Sequence, residues 1–367
     1  MSRQGPVVPI RLEYTLQAPS DGLLSNPFMR VLGSLHRQGS IAGAARELGW
    51  SYRHLWGYLK ARESELGRPL ILWDKGRAAR LSEFAEKLLW AETRIMGRLA
   101  APIENLATEI SRELSLAFDD AVPIAGCAAS HDLALPELRR LCGDAGLMLD
   151  LRFEDSVAAL QSLRRGQCRF AGIHLPLGVP GLGGRGSAIH RAFATRLRPG
   201  REKLIRVCAR EQGLMLAPGN PLSVTGLADL TRLRFVNRSP GTGTRALLDD
   251  LLAQAGVSGE RISGYRQEEA NHLSVAIAVA TGAADAGFGL RAAAATQALA
   301  FLPIVTEAYF LVCDRAVLES APGERLRAVL ASEAWREALA ALPGYRADEA
   351  GSVVSLRRTL PWLSGAG

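Results

Sequence analysis

Residues 39–60 have the sequence GSIAGAARELGWSYRHLWGYLK, which predicts two short helices joined by a tight turn. Ser40 is placed to cap the first helix, whose apolar residues recur at helical spacing until Gly49 ends it. Ser51 is placed to cap the second helix, which carries Leu55, Trp56 and Leu59 inward. Its first turn offers side chains that can reach base edges and phosphates in the major groove. The stretch therefore predicts a DNA-binding helix-turn-helix, with candidate DNA contacts at Ser40, Ser51, Tyr52, Arg53, His54, Trp56 and Lys60.

The flanking sequence supplies the other parts of a winged helix. Upstream, Asn26-Pro27 begins a helix with an apolar stripe. Downstream, residues 69–73 and 78–81 predict two short strands around a turn at residues 74–77. Such a hairpin is a basic wing, with Lys75, Arg77 and Arg80 near the phosphate backbone. Ordinary helical bundles also contain helix-turn-helix geometry, but the ordered set with a basic hairpin favours DNA binding.

This part of the chain resembles the winged helix-turn-helix of ModE-type and LysR-like bacterial transcriptional regulators. The resemblance is carried by residues 39–56, by LGRPLI at 66–71 and by LSEFAEKLL at 81–89. It implies that residues 1–82 form a domain that binds double-stranded operator DNA.

Composition limits the class of protein. The 367 residues leave room for two or three domains, and the formal net charge is +7. Residues 1–112 hold 16 Lys+Arg against 11 Asp+Glu, so the smaller segment carries most of the excess of positive charge, although Arg richness can also follow genome composition.

Five widely spaced cysteines with no CxxC predict reduced thiols and no metal site. No membrane span or signal peptide is evident, so we expect a cytoplasmic protein.

Residues 83–112 predict a long amphipathic linker helix, with Pro102 interrupting its apolar pattern. Such a helix either packs on its own domain or buries its stripe against a twin. Because a two-fold operator needs a two-fold reader, we expect a homodimer or a dimer of dimers.

Residues 113–367 predict a separate α/β domain with mostly parallel sheets. Apolar runs at 114–120, 147–155 and 169–175 alternate with helices from Ser130 to Cys142 and from Ser156 to Arg165. A second such unit starts at residue 206. The fold class is therefore α/β with a separate α-rich winged helix-turn-helix domain.

Three helix starts in this domain are suited to an anion. Ser130 and Ser156 each stand at a predicted helix start, the second preceded by Asp155. The loop at Thr242–Arg245 follows a strand that ends at Asn237. Backbone N–H groups and hydroxyls at a helix N-terminus favour negative charge. A serine at a helix start is more often only a cap, so the loop is the strongest of the three, and His174 is better explained as a core histidine.

The same domain resembles the type II periplasmic-binding-protein-like domain of the branch related to molybdate-binding proteins, which occurs fused to ModE-like DNA-binding domains. The resemblance is carried by GIHL at 172–175, GLMLAPGNP at 213–221, residues 235–249, residues 268–289 and the strand around Tyr309. It implies two lobes, a hinge and a small ligand. The candidate ligand contacts are Ser130, Ser156, Arg238, Thr242, Gly243, Thr244, Arg245, His272 and Tyr309.

The predicted function is that of a one-component transcriptional regulator that senses a small anion. Neutral hydroxyl and N–H donors suit molybdate or tungstate, whereas Arg238 or Arg245 could grip a carboxylate such as formate, and the sequence does not choose. No catalytic motif such as GxSxG or HExxH is present, so we expect neither an enzyme nor a cofactor besides the bound anion. The alternatives are a formate sensor that controls a molybdoenzyme operon, and a molybdenum-cofactor-handling protein with a non-essential DNA-binding head.

Overall fold

The computed structural model describes residues 15–17, 23–72, 79–118, 122–177, 182–360 and 362–363. Contacts divide the chain into two units, with the boundary between Met96 and Gly97. None of the described helices is long and apolar enough to cross a membrane.

The smaller unit contains three helices and two short antiparallel hairpins. Its elements are β1 (Thr15–Gln17), β2 (Leu23–Ser25), α1 (Asn26–Gln38), α2 (Ile41–Leu48), α3 (Tyr52–Leu66), β3 (Ile71–Leu72) and β4 (Arg80–Leu81), and the long helix α4 (Glu83–Phe118) begins in it. Phe28 and Leu32 of α1 are fully buried in one core with Leu55 of α3. The predicted order of helix, helix, turn, helix and hairpin is confirmed.

Both predicted caps of the helix-turn-helix are formed. Ser40 Oγ accepts a hydrogen bond from Gly43 N at 3.1 Å, and Ser51 Oγ accepts one from His54 N at 3.1 Å. Gly49 ends α2 with a φ of 68°, in the left-handed region that glycine adopts without steric cost. Two serines and one glycine therefore define the turn between α2 and α3.

The larger unit is built on one mixed sheet. Its strands are β5 (Ile124–Ala129), β6 (Met148–Phe153), β7 (Phe170–Pro176), β8 (Glu202–Leu216), β9 (Phe235–Arg238), β10 (Glu268–Glu269), β11 (Ala286–Leu290), β12 (Ala300–Asp314), β13 (Tyr345–Arg346) and β14 (Val353–Ser355). Its helices are α5 (Leu135–Asp144), α6 (Ser156–Arg164), α7 (Ala188–Phe193), α8 (Gly243–Gln254), α9 (His272–Ala280), α10 (Arg291–Thr296), α11 (Ala321–Leu330), α12 (Glu333–Ala340) and α13 (Leu356–Thr359).

Two lobes share this sheet through its two longest strands. The order is β10-β9-β11-β8-β12-β7-β5-β6, with β13 and β14 also paired to β8. Strands β5, β6 and β7 pair in parallel in the first lobe, and β9, β10 and β11 pair in parallel around β9 in the second. Strands β8 and β12 run antiparallel to each other through both lobes. The predicted two-lobed domain is confirmed; its sheet is mixed because the strands that join the lobes are antiparallel.

The structure differs from the sequence prediction at two elements of this part of the chain. Residues 114–118 are the last turns of α4 rather than a strand, because this apolar run continues the helical pattern before it, and the first strand is β5. The helix predicted from Ser130 begins at Leu135 instead. Asp132 Oδ1 accepts a hydrogen bond from Ala134 N at 2.8 Å, which holds the intervening residues in a loop. Ser130 therefore follows a strand and does not start a helix.

Helix α4 continues through Pro102 and past the predicted end at residue 112. Proline removes one backbone N–H, which costs one hydrogen bond of the helix. On its C-terminal side Asn105, Thr108 and Arg112 contact residues of β6 and α5, and these contacts stabilise the last turns.

Candidate functional sites

The first turn of α3 presents most of the predicted DNA contacts to solvent. Ser51, Tyr52, Arg53 and His54 are all exposed there. Half of the Tyr52 surface (50%) is open, and the His54 ring lies edge-on to Trp50 with centroids 4.7 Å apart. This turn is a polar surface of the kind that enters a major groove.

Trp56 and Lys60 extend this surface along α3. Trp56 is half-buried against the core, and Lys60 Nζ lies 4.7 Å from the centroid of its ring. Lys60 also donates to Glu63 at 2.7 Å. The other oxygen of Glu63 accepts hydrogen bonds from Leu70 N at 2.8 Å and Ile71 N at 3.1 Å. One carboxylate therefore fastens α3 to the first strand of the wing.

The remaining predicted DNA contacts differ in their exposure to solvent. Ser40 is half-buried and uses its hydroxyl as the cap of α2. Arg80 is exposed on β4, in the hairpin. Lys75 and Arg77 lie outside the described residues, so their contacts stay predictions.

A cluster of buried polar side chains lies where the two lobes of the larger unit meet. We call it the cleft cluster; its members are Ser156, His174, Gln212, Arg238, Thr244, His272 and Tyr309, and we include Ser130, which is buried directly after β5. His174 on β7 and Tyr309 on β12 are cross-strand neighbours with ring centroids 4.4 Å apart. Thr244 Oγ1 lies 3.5 Å from His272 Nε2 and accepts a hydrogen bond from Gln212 Nε2 at 3.1 Å. The cluster draws on both lobes and on both long strands.

Two helix N-termini converge on the cleft cluster. Helix α6 begins at Ser156 and α8 at Gly243. A methyl group on Gly243 would lie 3.6 Å from Ser156 Oγ and 3.4 Å from His174 Cβ, so the two helix starts face the same space. The Asp155 carboxylate caps α6 by accepting from Ala158 N at 2.8 Å, which stabilises that end of the helix. Free N–H groups at such ends attract negative charge.

Most members of the cleft cluster have an unused hydrogen-bonding atom. Among the described residues, the buried atoms without a protein partner include Ser130 Oγ, Ser156 Oγ, His174 Nε2, Gln212 Oε1, Arg238 Nε, His272 Nδ1 and Tyr309 OH. A buried polar group without a partner costs about 1–3 kcal/mol, so a concentration of them indicates a place for a polar ligand.

Arg238 supplies the uncompensated positive charge of the cleft cluster. Its side chain is 1% exposed, and Nη1 donates to the main-chain oxygen of Glu269 at 3.3 Å. The Glu269 carboxylate is instead bound by Arg98, through hydrogen bonds of 2.9 Å and 2.5 Å. Burial, with a smaller effect of the nearby Arg210 charge, lowers the pKa of Arg238 to about 9. A buried guanidinium without a carboxylate partner among the described residues favours an anionic ligand.

The second buried arginine, Arg210, is already neutralised. Its Nε donates to Glu307 at 2.6 Å, and its Nη1 pairs with Asp132. Tyr345 OH donates to Asp132 at 2.8 Å, and Gln212 Nε2 donates to Glu307 at 2.6 Å. Because two carboxylates face one arginine, this network holds β8 and β12 together and leaves no charge of Arg210 for a ligand.

Both histidines of the cleft cluster are neutral near pH 7. Burial lowers the pKa of His174 well below its usual 6.5, and Arg210 and Arg238 lower it further. Burial, followed by Arg238 and Arg210, lowers the pKa of His272 in the same way. Each imidazole therefore offers one N–H donor and one acceptor.

Two predicted ligand contacts have other partners. Thr242 caps α8: its hydroxyl donates to Ser239 O at 2.8 Å and accepts from Arg245 N at 3.3 Å. Arg245 donates to Asp249 at 3.0 Å and lies over the Tyr265 ring, 4.4 Å from its centroid. The structure therefore brings Arg238, and not the guanidinium of Arg245, to the cleft cluster, because Asp249 and Tyr265 hold Arg245 elsewhere.

His174 and Gln212 are members that the sequence prediction missed. A histidine within GIHL is indistinguishable from a satisfied core histidine until its strand neighbours are known. For Gln212 a signal was present, because Arg-Glu-Gln at 210–212 interrupts an otherwise apolar strand.

Among the described residues, neither the cysteines nor any group of possible metal ligands forms a second site. All five cysteines are buried and free, and burial raises the pKa of Cys142 to about 12 and that of Cys168 to about 11. Within the described ranges, no group of three or more His, Cys, Asp or Glu side chains could hold a metal ion.

Comparison with sequence families assigns both parts of the chain. Residues 138–331 match the family described as PBP superfamily domain. Residues 28–86 match the family described as bacterial regulatory helix-turn-helix protein, lysR family. The first match covers the core of the two-lobed unit, and the second covers the helix-turn-helix, the hairpin and the start of α4.

Two relatives have similar sequences over different shares of the chain. The chain is 29% identical over 288 residues to the uncharacterized protein YvgK of Bacillus subtilis (strain 168), covering 76% of this chain and 87% of that protein. It is 30% identical over 110 residues to an uncharacterized protein from the 5′ region of a ferredoxin 2Fe-2S gene of Clostridium pasteurianum, covering 30% and 97%.

Solved structures that align over most of the chain have lower sequence identity. Full-length BenM aligns with a TM-score of 0.42 and 15% identity, covering 85% of this chain and 96% of that chain. CbnR, a LysR family transcriptional regulator, aligns with a TM-score of 0.38 and 17% identity, covering 82% of this chain and 98% of that chain. The family of this chain is therefore assigned from the matches to sequence families and not from the solved structures.

Proposed function

We propose, from the premise that this chain belongs to the PBP superfamily and is a LysR-type transcriptional regulator with an effector-binding domain, that its effector is molybdate or tungstate. The anion binds in the cleft cluster and changes the affinity of a dimer for its operator. Regulators of this type bind DNA and small-molecule effectors and act as oligomers.

The observation that carries the anion proposal is the environment of Arg238. It is a fully buried cation with an unused Nε at the end of β9, five residues before the start of α8, whose N-terminus faces that of α6. An anion there gains charge-assisted hydrogen bonds in a site of low dielectric constant. The same position without an anion leaves a buried charge unpaired.

The number of donors favours a tetrahedral oxyanion. Ser130, Ser156 and Tyr309 each have an unused buried hydroxyl, in addition to Arg238 and the backbone N–H groups of two helices. The two oxygens of a carboxylate offer about four lone-pair positions. Four oxygens arranged tetrahedrally use more of these donors.

One observation favours formate as a second candidate. The guanidinium of Arg238 is planar and can bind a carboxylate through two parallel hydrogen bonds. A carboxylate would carry one negative charge, which equals the charge of this single arginine.

The proposed dimer rests on helix α4. Four of its exposed apolar side chains lie four and seven residues apart: Ile95 (53% exposed), Leu99 (43%), Leu106 (55%) and Ile110 (44%). A row of this kind along a helix of 36 residues is typical of packing against a twin helix.

Thermal unfolding of the full-length protein tests the effector. Molybdate, tungstate, sulfate, phosphate and formate are compared at equal concentration. We expect molybdate and tungstate to raise Tm, since a ligand at a hundred times its Kd stabilises the folded state by about 2.7 kcal/mol. A rise with formate alone supports the second candidate, and no rise with any of these anions rejects the proposed effector class.

A further inference from the structure

Helix α4 is attached to the second lobe just beyond the unit boundary. Arg98 binds the buried carboxylate of Glu269 through two hydrogen bonds, and Asn271 Nδ2 donates to Gly97 O. Gly97 permits this close approach, because a methyl group there would lie 3.0 Å from Ile277 Cδ1 of α9. We call these contacts the second-lobe anchor.

The same helix is attached to the first lobe two turns later. Asn105 Nδ2 donates to Phe153 O at 3.2 Å, and Phe153 N donates to Asn105 Oδ1 at 2.6 Å. The side-chain amide therefore pairs with the last residue of β6 as a neighbouring strand would. Arg139 of α5 adds a hydrogen bond of 2.8 Å to Thr108. We call these contacts the first-lobe anchor.

Pro102 lies between the two anchors. In an α-helix, the N–H of residue 102 would bond to the carbonyl of Arg98, four residues earlier, and proline has no N–H. Bending of a helix concentrates at such a position. The most easily bent point of α4 therefore lies between its attachment to one lobe and its attachment to the other.

Both anchors lie next to the cleft cluster. Glu269 accepts the hydrogen bond of Arg238 with its main-chain oxygen, and Asn271 directly precedes His272. Phe153 lies three residues before Ser156, at the start of α6. A ligand that draws these groups together must change the separation of the anchors, because each is only a few bonds from a ligand-facing side chain.

We propose that residues 97–112 of α4 form a strap across the cleft, which bends at Pro102 when an anion draws the lobes together and so transmits occupancy along the helix. This inference rests on the proposed function for the ligand, but the strap itself is defined by contacts within the chain. The N-terminal part of the same helix belongs to the DNA-binding unit, so a bend at Pro102 alters a helix that both units share.

The coupling experiment uses the full-length protein, operator DNA selected from a random-sequence pool, and molybdate as the probe. The measured quantity is the ratio of operator Kd with and without saturating molybdate. Asn105→Ala removes the first-lobe anchor. Asn220→Gly is the matched control: Asn220 makes the same reciprocal pair of hydrogen bonds with the backbone of Val224, at 3.0 Å and 2.9 Å, and glycine keeps its positive φ of 49°.

We expect a wild-type ratio that departs from one by about fivefold or more, a typical allosteric coupling. Asn105→Ala should bring the ratio close to one with molybdate Kd nearly unchanged, whereas Asn220→Gly should keep the wild-type ratio. If Asn105→Ala keeps the wild-type ratio of operator Kd with and without molybdate, the proposed strap is wrong.

A second measurement needs no ligand and separates the strap from the identity of the effector. Pro102→Ala restores the missing hydrogen bond, and amide hydrogen exchange is followed in the free protein. We expect slower exchange at residues 99–106 and also at 153–156 and 271–274, because both lobes are tied to the stiffened helix. If exchange changes only within the helix, the strap is wrong, whereas a failure of molybdate to bind the wild type rejects only the proposed effector.

Discussion

Arg238 meets Glu269 through a main-chain carbonyl and not through a carboxylate. The Arg238 Nη1 to Glu269 O distance is 3.3 Å, whereas the Glu269 carboxylate binds Arg98. The side chain that could neutralise Arg238 is therefore engaged by the linker helix. The cleft is left with a buried positive charge that an anionic ligand can neutralise.

Replacement of Arg238 should separate binding from stability. We expect Arg238→Met to abolish the Tm increase produced by molybdate, because the variant loses a buried cation that has no carboxylate partner among the described residues. We also expect the ligand-free variant to be more stable by ~1–4 kcal/mol, since an apolar side chain replaces a buried charge. Urea unfolding with and without molybdate measures both effects. Arg245→Met is the control, because that guanidinium pairs with Asp249; equal loss of binding in the two variants contradicts the assignment.

Anion affinity should decrease in alkaline solution. The pKa of Arg238 is about 9 in the free protein, because burial disfavours its charged form. Binding needs the protonated guanidinium, so molybdate affinity should be constant from about pH 7 to 8 and fall about tenfold per pH unit above 9. Isothermal titration calorimetry across this range measures the decrease. A flat profile up to about pH 10 would show that Arg238 is not required in its charged form.

The buried histidines should make the effector domain sensitive to acid. The folded-state pKa values of His174 and His272 are well below 6.5, so the unfolded chain takes up protons that the folded chain does not. Stability is then retained above about pH 6.5 and lost as the pH falls below it, by about 1.4 kcal/mol per pH unit for each histidine. Denaturant unfolding between pH 5 and 7 measures how the free energy of unfolding changes with pH. We expect this change to be smaller in His174→Gln than in the wild type. An unchanged slope would mean that His174 is protonated in the folded state.

The first turn of α3 should carry operator recognition. Tyr52 and Arg53 are exposed, so the double variant Tyr52→Ala, Arg53→Ala should fold normally. We expect operator affinity to fall by about 2–6 kcal/mol, the sum of two base contacts. Fluorescence anisotropy measures the loss, and the Tm increase with molybdate should be retained. Unchanged operator affinity would favour a protein whose DNA-binding head is not essential.

The exposed row on α4 should hold the dimer together. Leu106→Arg combined with Ile110→Arg places two charges on this apolar face. We expect a monomer by light scattering and a weaker, non-cooperative operator complex, because one half-site loses its reader. Lys87→Ala, in an exposed ion pair with Glu83 on the same helix, should remain dimeric. A dimer that survives the double substitution must use another surface.

The local elements followed from sequence where one short pattern was sufficient. Ser40, Gly49 and Ser51 act through neighbours within five residues, so the helix-turn-helix could be predicted in detail. The cleft cluster was only partly predictable, because its composition depends on strand register. His174 becomes a site residue because β7 pairs with β12 and places it beside Tyr309. The sequence suggested both Arg245 and Arg238 as ligand contacts, and only the fold shows that Asp249 binds the guanidinium of Arg245.

The Glu63 carboxylate accepts hydrogen bonds from Leu70 N and Ile71 N, so it fixes the distance between α3 and the base of the β3–β4 hairpin. We therefore expect that α3 and the hairpin cannot adjust separately to an operator half-site with one base pair inserted between the predicted groove contact and the predicted backbone contact. Such an insertion should cost both contacts together, so the spacing inside a half-site is as much a part of the recognised sequence as its bases.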